Sequence, residues 1–252
     1  MCRRSASNRL LGLCKPSRLK RYLRWGYRDS DTMVELNFAQ ARFNMVEQQV
    51  RPWEVLDERV LEVLESLPRE AFVPKHYRNL AYADLQLPLP YGEVMMEPRL
   101  EARLLQALTP HPDESVLEIG TGTGFLSACL AQLVSQVTSV DIQPEFCKLA
   151  AAQLSAQAIR NVRLEVGDAA RGWGGGQRYD MIAVTGSLPE LHENYHRSLS
   201  IGGRLFVIVG ERPIMEALLI TRVGEDQWAT ESLLDTSIRP LRNARRTVRF
   251  EL

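Results

Sequence analysis

Three glycines at alternate positions form the clearest candidate ligand site in the chain. They lie in Val-Leu-Glu-Ile-Gly-Thr-Gly-Thr-Gly-Phe, residues 116–125, where an apolar run typical of a β-strand leads directly into a helical pattern. Glycine permits a tight turn and lets a ligand approach the backbone, and the first N–H groups of a helix are free to bind it. The segment therefore predicts a strand–turn–helix site that binds a ligand.

Carboxylates accompany three successive strand-like runs. Asp141 ends the second run, 21 residues after Gly120, where a carboxylate can accept hydrogen bonds from both hydroxyls of a ribose. Asp168 follows the third run and is placed to contact the edge of a purine. Glu118 lies two residues before the first glycine. Together with the glycine turn, these residues predict a nucleoside-containing ligand.

Two ligand classes contain such a nucleoside, namely a nicotinamide dinucleotide and S-adenosylmethionine. The dinucleotide motif G-x-G-x-x-G requires a third glycine at position 127, where this chain has Ser127. The carboxylate of Glu118 would repel a pyrophosphate but attract the sulfonium and amino groups of S-adenosylmethionine. The residues therefore favour S-adenosylmethionine as the cofactor, with S-adenosylhomocysteine as its product.

The elements that must position these residues predict an α/β protein. Short β-branched runs alternate with helical stretches, which is typical of a Rossmann-like, doubly wound, mostly parallel sheet with helices on both faces. The predicted strands are 115–119, 137–141, 162–166, 179–185 and 204–209. The predicted helices are 99–108, 125–133, 144–158 and 188–199. Two further runs, 217–223 and 228–234, predict an antiparallel hairpin at the sheet edge.

Charge and proline content divide the chain into three predicted segments. Residues 1–32 carry a net charge of +7 against −7 for the remainder, and we expect a disordered leader or a start assigned too far upstream. Residues 33–98 are expected to form an N-terminal cap on the substrate side, with two helices broken at Pro52 and then a Pro-rich stretch. Residues 99–252 are expected to form the cofactor-binding domain with C-terminal edge strands.

Composition excludes several classes of protein. The chain is 45% hydrophobic and 25% charged, and its apolar runs fall short of the ~18 residues of a membrane span. Four cysteines without paired spacing predict neither a metal site nor a disulfide framework, and favour the cytoplasm. The basic cluster of residues 239–249 lacks interleaved aromatic side chains, so we expect a solvated face rather than a nucleic-acid site. A monomer or weak dimer is expected.

Several motifs, taken in order, resemble the protein-L-isoaspartate O-methyltransferase family. Besides the glycine motif they are Pro-Arg-Glu-Ala-Phe-Val-Pro at 68–74, Ala-Tyr-Ala-Asp at 81–84, Tyr-Asp-Met-Ile-Ala-Val-Thr at 179–185 and Gly-Gly-Arg-Leu at 202–205. The resemblance runs from about residue 45 to Leu241. It implies a methyltransferase that esterifies a carboxylate of isoaspartyl residues in damaged proteins, with a protein or peptide acceptor and a small molecule as the alternative.

The resemblance also implies the residues of the site. Asp84 and Met96 are the predicted catalytic positions, although Met96 stands where the family has serine. The cofactor-binding residues are predicted in the glycine turn and at the strand ends: Glu118, Gly120, Thr121, Gly122, Thr123, Gly124, Asp141, Ile142, Gly167, Asp168, Ala169 and Thr185.

One segment departs from the family pattern. Where the family usually has Gly-Gln-Thr-Ile-Ser-Gln-Pro, residues 92–98 read Gly-Glu-Val-Met-Met-Glu-Pro. Val94 and Met96 replace hydroxyl donors, and Glu93 and Glu97 add negative charge, so the acceptor site is expected to be more apolar and more anionic. Two alternatives to isoaspartate methylation therefore stay open: a methyltransferase with a different acceptor, and a cofactor-binding protein without catalysis.

Overall fold

A computed structural model describes residues 37–244, and these residues belong to one compact unit. The leader predicted over residues 1–32 lies outside the described residues. Among the helices of residues 37–244, none combines the length and the apolar character that a membrane crossing requires.

The N-terminal region consists of short helices and one small hairpin. Its regular elements are, in chain order, α1 (Phe38–Met45), α2 (Glu58–Ser66), α3 (Arg69–Phe72), β1 (Leu87–Pro88) and β2 (Val94–Met95). A π-helical stretch and a 3-10 turn at Arg51–Trp53 follow α1, so the helical pattern breaks at Pro52 as predicted. The Pro-rich stretch is ordered, since β1 and β2 pair in antiparallel register and hold the loop between them.

A seven-stranded sheet forms the centre of the molecule. Its strands are β3 (Ser115–Ile119), β4 (Gln136–Asp141), β5 (Val162–Val166), β6 (Tyr179–Leu188), β7 (Leu199–Glu211), β8 (Ile214–Gly224) and β9 (Gln227–Thr236). The order across the sheet is β5-β4-β3-β6-β7-β8-β9. The first five strands in this order are parallel, and β8 and β9 add the predicted antiparallel hairpin at the edge.

Helices cover the two faces of the sheet unequally. The helices are α4 (Pro98–Leu108), α5 (Phe125–Leu133), α6 (Pro144–Ala156) and α7 (Glu193–Arg197). Successive residues of a strand point to opposite faces, so Val116 packs in one core layer and Leu117 in the other. The layer of Val116 contains residues of α2, α4, α5 and α6, whereas the layer of Leu117 contains α7 and the side chain of Trp173.

The helix predicted over residues 188–199 is wrong in its first part. Strand β6 continues to Leu188, because Ser187 and Leu188 pair with Ile208 and Val209 of β7. Leu188 is buried in the core layer that contains Leu117, so its apolar side chain packs as part of the sheet rather than of a helix. Only the five residues of α7 are helical in the connection between β6 and β7.

Substitution of a core leucine tests the packing of α4. Leu104 is fully buried, and Leu104→Ala should lower the free energy of unfolding by about 2–5 kcal/mol through lost burial and a new cavity. Leu56 is 66% exposed, and Leu56→Ala should change it by less than about 0.5 kcal/mol. Urea unfolding of both variants measures the difference, and equal effects would contradict the packing described.

Candidate functional site

The predicted cofactor residues converge on a cleft at the carboxyl ends of the parallel strands. This outer cleft opens to solvent, and its empty volume is about 690 Å³ when the open space at its mouth is included. Its lining includes eight of the predicted residues: Gly120, Gly122, Asp141, Ile142, Gly167, Asp168, Ala169 and Thr185. A smaller inner cleft of about 330 Å³ shares part of this wall and adds Glu118, Thr121 and Thr123. A local sequence motif and three strand ends thus form one continuous site.

The turn between β3 and α5 requires glycine at its first position. Gly120 has a φ of +99°, and a Cβ there would collide with the hydroxyl oxygen of Thr185. That hydroxyl donates to the carbonyl oxygens of Ile119 and Gly120, both at 2.9 Å. Thr185 therefore occupies the space that a side chain at position 120 would need, and fixes the end of β3 against β6.

Gly124, whose contact with the cofactor stays a prediction, immediately precedes α5. It lines neither cleft, and its φ is +85°. A Cβ at this position would lie 2.9 Å from the Cβ of Ala150 in α6. The absence of a side chain at Gly124 therefore lets α5 pack closely against α6, which supports the turn from behind.

Asp141 and Asp168 present carboxylates to the outer cleft. The two oxygens of Asp141 accept N–H groups from Gly122 at 3.0 Å and Gln143 at 2.8 Å. Burial raises the pKa of Asp141 above its ordinary value. Asp168 accepts the N–H of Ala170 at 3.0 Å and the side-chain amide of Asn243 at 2.8 Å. Each carboxylate oxygen can accept a further hydrogen bond, so both groups can bind ligand hydroxyls or amines.

Glu118 is a buried carboxylate in the wall of the inner cleft. Its Oε2 accepts the hydroxyls of Ser127 and Ser139, the latter at 2.5 Å. Its buried Oε1 has no hydrogen-bond partner within residues 37–244. Burial raises the pKa of Glu118 to about 8, and the charges of Asp141 and Glu101 act in the same direction. A buried carboxylate oxygen without a partner fits a cationic group bound in this cleft, such as the ammonium group of S-adenosylmethionine.

Residues 92–98, the divergent loop, form another wall of the inner cleft. Val94, Met95 and Met96 line it, and Met96 is buried. The buried guanidinium of Arg69 holds the loop in place, since it donates to the carbonyl oxygen of Met96 at 2.5 Å and to the carboxylate of Glu101. The apolar side chains that replace the hydroxyl donors of the family pattern therefore lie directly beside the glycine turn.

The expectation that Glu93 makes this loop more anionic needs correction. Glu93 forms ion pairs with Arg242 at 2.7 Å and with Arg239 at 3.6 Å, so two cations face one carboxylate. Arg239 and Arg242, predicted to lie on a solvated terminal face, are partly exposed and also line the outer cleft. Glu97 is buried, and its Oε2 has no partner within the described part of the chain.

Sequence reasoning missed the contribution of the C-terminal segment to the cleft. Residues 238–242 form one side of it, and the backbone of Arg239 and Leu241 pairs with Ser187 of β6. No local motif marks this segment, because its partners lie about 50 to 150 residues earlier in the chain. The remaining arginines of the predicted basic cluster, Arg245, Arg246 and Arg249, lie outside the described residues.

Asp84 is not brought into either cleft. Its carboxylate pairs with Arg99 at 3.1 Å, at the start of α4 immediately after the divergent loop. The catalytic role that the family resemblance implies for Asp84 stays a prediction. Residues 37–244 also bring no three His, Cys, Asp or Glu side chains together in a way that could hold a metal ion.

The site combines a glycine turn after the first strand of the parallel sheet, carboxylates at the ends of the next two strands and a buried carboxylate beside the turn. On a Rossmann-like fold, this combination places the chain among the S-adenosylmethionine-dependent methyltransferases. Comparison with known proteins identifies the family. The model for the protein-L-isoaspartate(D-aspartate) O-methyltransferase family matches residues 41–244, and the chain belongs to this family.

Individual relatives agree with this assignment. The chain is 39% identical to protein-L-isoaspartate O-methyltransferase 1 of Rhodopseudomonas palustris strain HaA2, over 81% of this chain and 84% of the relative. It is 34% identical to the protein-L-isoaspartate O-methyltransferase of Syntrophotalea carbinolica, over 82% of this chain and 95% of the relative. The predicted family and enzyme class are therefore confirmed.

Solved structures agree with the fold. A protein-L-isoaspartate O-methyltransferase aligns with a TM-score of 0.67 at 23% identity, over 80% of this chain and 64% of that one. A Plasmodium falciparum member, in complex with S-adenosyl-L-homocysteine, aligns with a TM-score of 0.68 at 17% identity, over 82% and 99%. The predicted fold class is confirmed, and the family supports S-adenosylmethionine as the cofactor.

The close approach of Thr185 predicts the effect of a methyl group in the turn. Gly120→Ala should destabilise the protein by about 2 kcal/mol or more, because the new Cβ meets Thr185 and the positive φ is strained. Gly202 has a φ of +82°, but a Cβ at this position would have no neighbouring atom within 4 Å, so Gly202→Ala should cost only about 1 kcal/mol of backbone strain. Urea unfolding compares the two variants, and a Gly120→Ala effect no larger than that of the control would contradict the crowding.

Burial of Glu118 predicts a pH dependence of stability. Its pKa is raised from 4.5 to about 8 on folding, so the unfolded chain loses this proton first as the pH rises. The contribution of Glu118 to stability should therefore fall between about pH 4.5 and 8 and then level off. Glu118→Gln should flatten this part of the profile, whereas Glu62→Gln, at an exposed position, should not. Thermal unfolding from pH 5 to 9 without cofactor measures both slopes, and parallel slopes for the wild type and Glu118→Gln would exclude the effect.

Proposed function

We propose that this chain transfers the methyl group of S-adenosylmethionine to the free carboxylate of isoaspartyl residues in proteins and peptides. The observation that carries the proposal is the convergence of Asp141, Asp168 and Glu118 on two adjoining clefts, in a chain of this family. The similarity of the relatives over most of their length supports the isoaspartyl acceptor over the two alternatives.

The three carboxylates suit the three polar parts of the cofactor. We assign the ribose hydroxyls to Asp141 and the adenine edge to Asp168, since both line the outer cleft. The Oε1 of Glu118, which has no partner among residues 37–244, would accept hydrogen bonds from the ammonium group. Ile142, Gly167, Ala169 and Thr185 would surround the nucleoside. The bound cofactor supplies an electrophilic methyl group.

The acceptor side acts mainly by positioning. An ionised carboxylate is already a nucleophile, so the protein must align it with the methyl group and exclude water rather than remove a proton. Met96 and its neighbours provide an apolar wall for this purpose. For Asp84 we propose an indirect role: through its ion pair with Arg99 it holds the start of α4 and the loop before it.

The proposal also covers the cellular location of the chain and its partners. We propose that the chain acts in the cytoplasm on protein acceptors, as a monomer or weak dimer and without a nucleic-acid partner. The buried thiols of Cys129 and Cys147 form no disulfide in the part of the chain that the structure describes, which suits a reducing compartment. Gel filtration of the purified chain tests the oligomeric state.

Methylation of a defined peptide tests the activity. Purified protein with S-adenosylmethionine should form a base-labile methyl ester on an isoaspartyl peptide and none on the same peptide with a normal aspartate. Turnover of the isoaspartyl peptide alone supports the proposal. Cofactor binding without transfer to either peptide would contradict it, and would favour another acceptor or a protein without catalysis.

Removal of one carboxylate tests the cofactor assignment separately. Asp141→Ala should weaken S-adenosylhomocysteine binding by about 1–3 kcal/mol, because charge-assisted hydrogen bonds to the ribose are lost. Asp113→Ala is a suitable control, since Asp113 is exposed and lines neither cleft. Calorimetric titration measures both dissociation constants, and equal values would show that Asp141 does not bind the ribose.

A further inference from the structure

We propose that Arg239 is a specificity-determining residue that binds acidic side chains flanking the isoaspartate of the acceptor. The inference rests on the proposed function. It arises from the pairing of one glutamate of the divergent loop with two arginines at the rim of the outer cleft. In the protein without acceptor, the carboxylate of Glu93 pairs with Arg239, and the carboxylate of an acidic acceptor displaces it.

The backbone places Arg239 at the rim independently of its side chain. The N–H of Ser187 donates to the carbonyl oxygen of Arg239 at 3.0 Å, and the N–H of Leu241 donates to the carbonyl oxygen of Ser187 at 2.9 Å. Ile238, the preceding residue, is buried. These contacts anchor the segment to β6, so the guanidinium can change partners without movement of the main chain.

The two arginines hold Glu93 unequally. Arg242 lies 2.7 Å from one oxygen of Glu93 and also donates to the carbonyl oxygen of Tyr91 at 2.5 Å. Arg239 lies 3.6 Å from the other oxygen, which is its single ion pair within residues 37–244. Its side chain is 54% exposed and extends over Gly92. Arg242 thus neutralises Glu93, and Arg239 contributes the excess positive charge of the cluster.

The rest of the rim offers an acidic segment of the acceptor few other hydrogen-bond donors. Val94 and Met96 replace the hydroxyls that the family pattern provides. The nearby carboxylates Asp141 and Asp168 already accept backbone or amide hydrogens and would repel a further anion. A partly exposed guanidinium can bind a carboxylate through two parallel hydrogen bonds, which makes Arg239 the group suited to this contact.

Two isoaspartyl peptides test the proposal. They are identical except that the residues on both sides of the isoaspartate are glutamate in one and glutamine in the other. The wild type should show a kcat/KM about two- to fivefold higher for the glutamate peptide, which is the size expected of an exposed ion pair. Most of the difference should lie in KM, because the contact is made equally before and during methyl transfer.

Substitutions at position 239 separate charge from shape. Arg239→Gln should bring the ratio of the two kcat/KM values close to one, Arg239→Lys should retain part of it, and Arg239→Glu should reverse it. Glu93→Gln should increase the preference, because the internal competitor loses its charge. Arg197→Gln serves as the control, since Arg197 is exposed and pairs with Glu193 on α7, away from the clefts.

The outcomes distinguish this inference from the proposed function. Turnover of both peptides at equal kcat/KM by the wild type, or an unchanged preference in Arg239→Gln and Arg239→Glu, would overturn the role of Arg239 alone. Failure of the wild type to methylate either peptide would overturn the proposed function and this inference with it. Thermal unfolding of each variant confirms that a changed ratio does not arise from a misfolded protein.

Discussion

The contact between Thr185 and Gly120 is the constraint on which the site depends. It can form only because position 120 has no side chain, and it fixes the end of β3 against Thr185 within β6. Asp141, at the end of β4, then accepts the N–H of Gly122 in the same turn. Three neighbouring strands are thus tied to one turn, and the outer cleft is the space that they leave above the sheet.

The inner cleft is lined by two almost completely buried carboxylates. The carboxylates of Glu118 and Glu101 are both buried there, and burial raises the pKa of each, to about 8 and about 7. Glu101 is paired with Arg69, whereas Glu118 keeps one oxygen without a partner among the described residues. Without a ligand this arrangement destabilises the ionised form of Glu118, and a bound cation relieves that cost. Ligand binding and stability should therefore be linked through this residue.

The parts of the site that follow from local sequence could be predicted, and the parts that depend on distant contacts could not. Strand 115–119 and Asp141 are predictable because an apolar run, a glycine turn and a strand end each leave a local pattern. The helix expected over residues 188–199 is helical only at Glu193–Arg197, because Leu188 pairs with Val209 of β7 and residues 189–192 form a bend and loop. The ion pair of Glu93 with Arg242 joins residues 149 positions apart, and no pattern in either segment indicates it.

A crystal structure of the protein with S-adenosylhomocysteine would show whether the cofactor occupies the two clefts as assigned. We expect the ribose hydroxyls within about 3 Å of the Asp141 carboxylate and the ammonium group against Oε1 of Glu118, with the sulfur facing the wall formed by Met96. A ligand bound outside the two clefts, or a ribose that does not contact Asp141, would contradict this assignment.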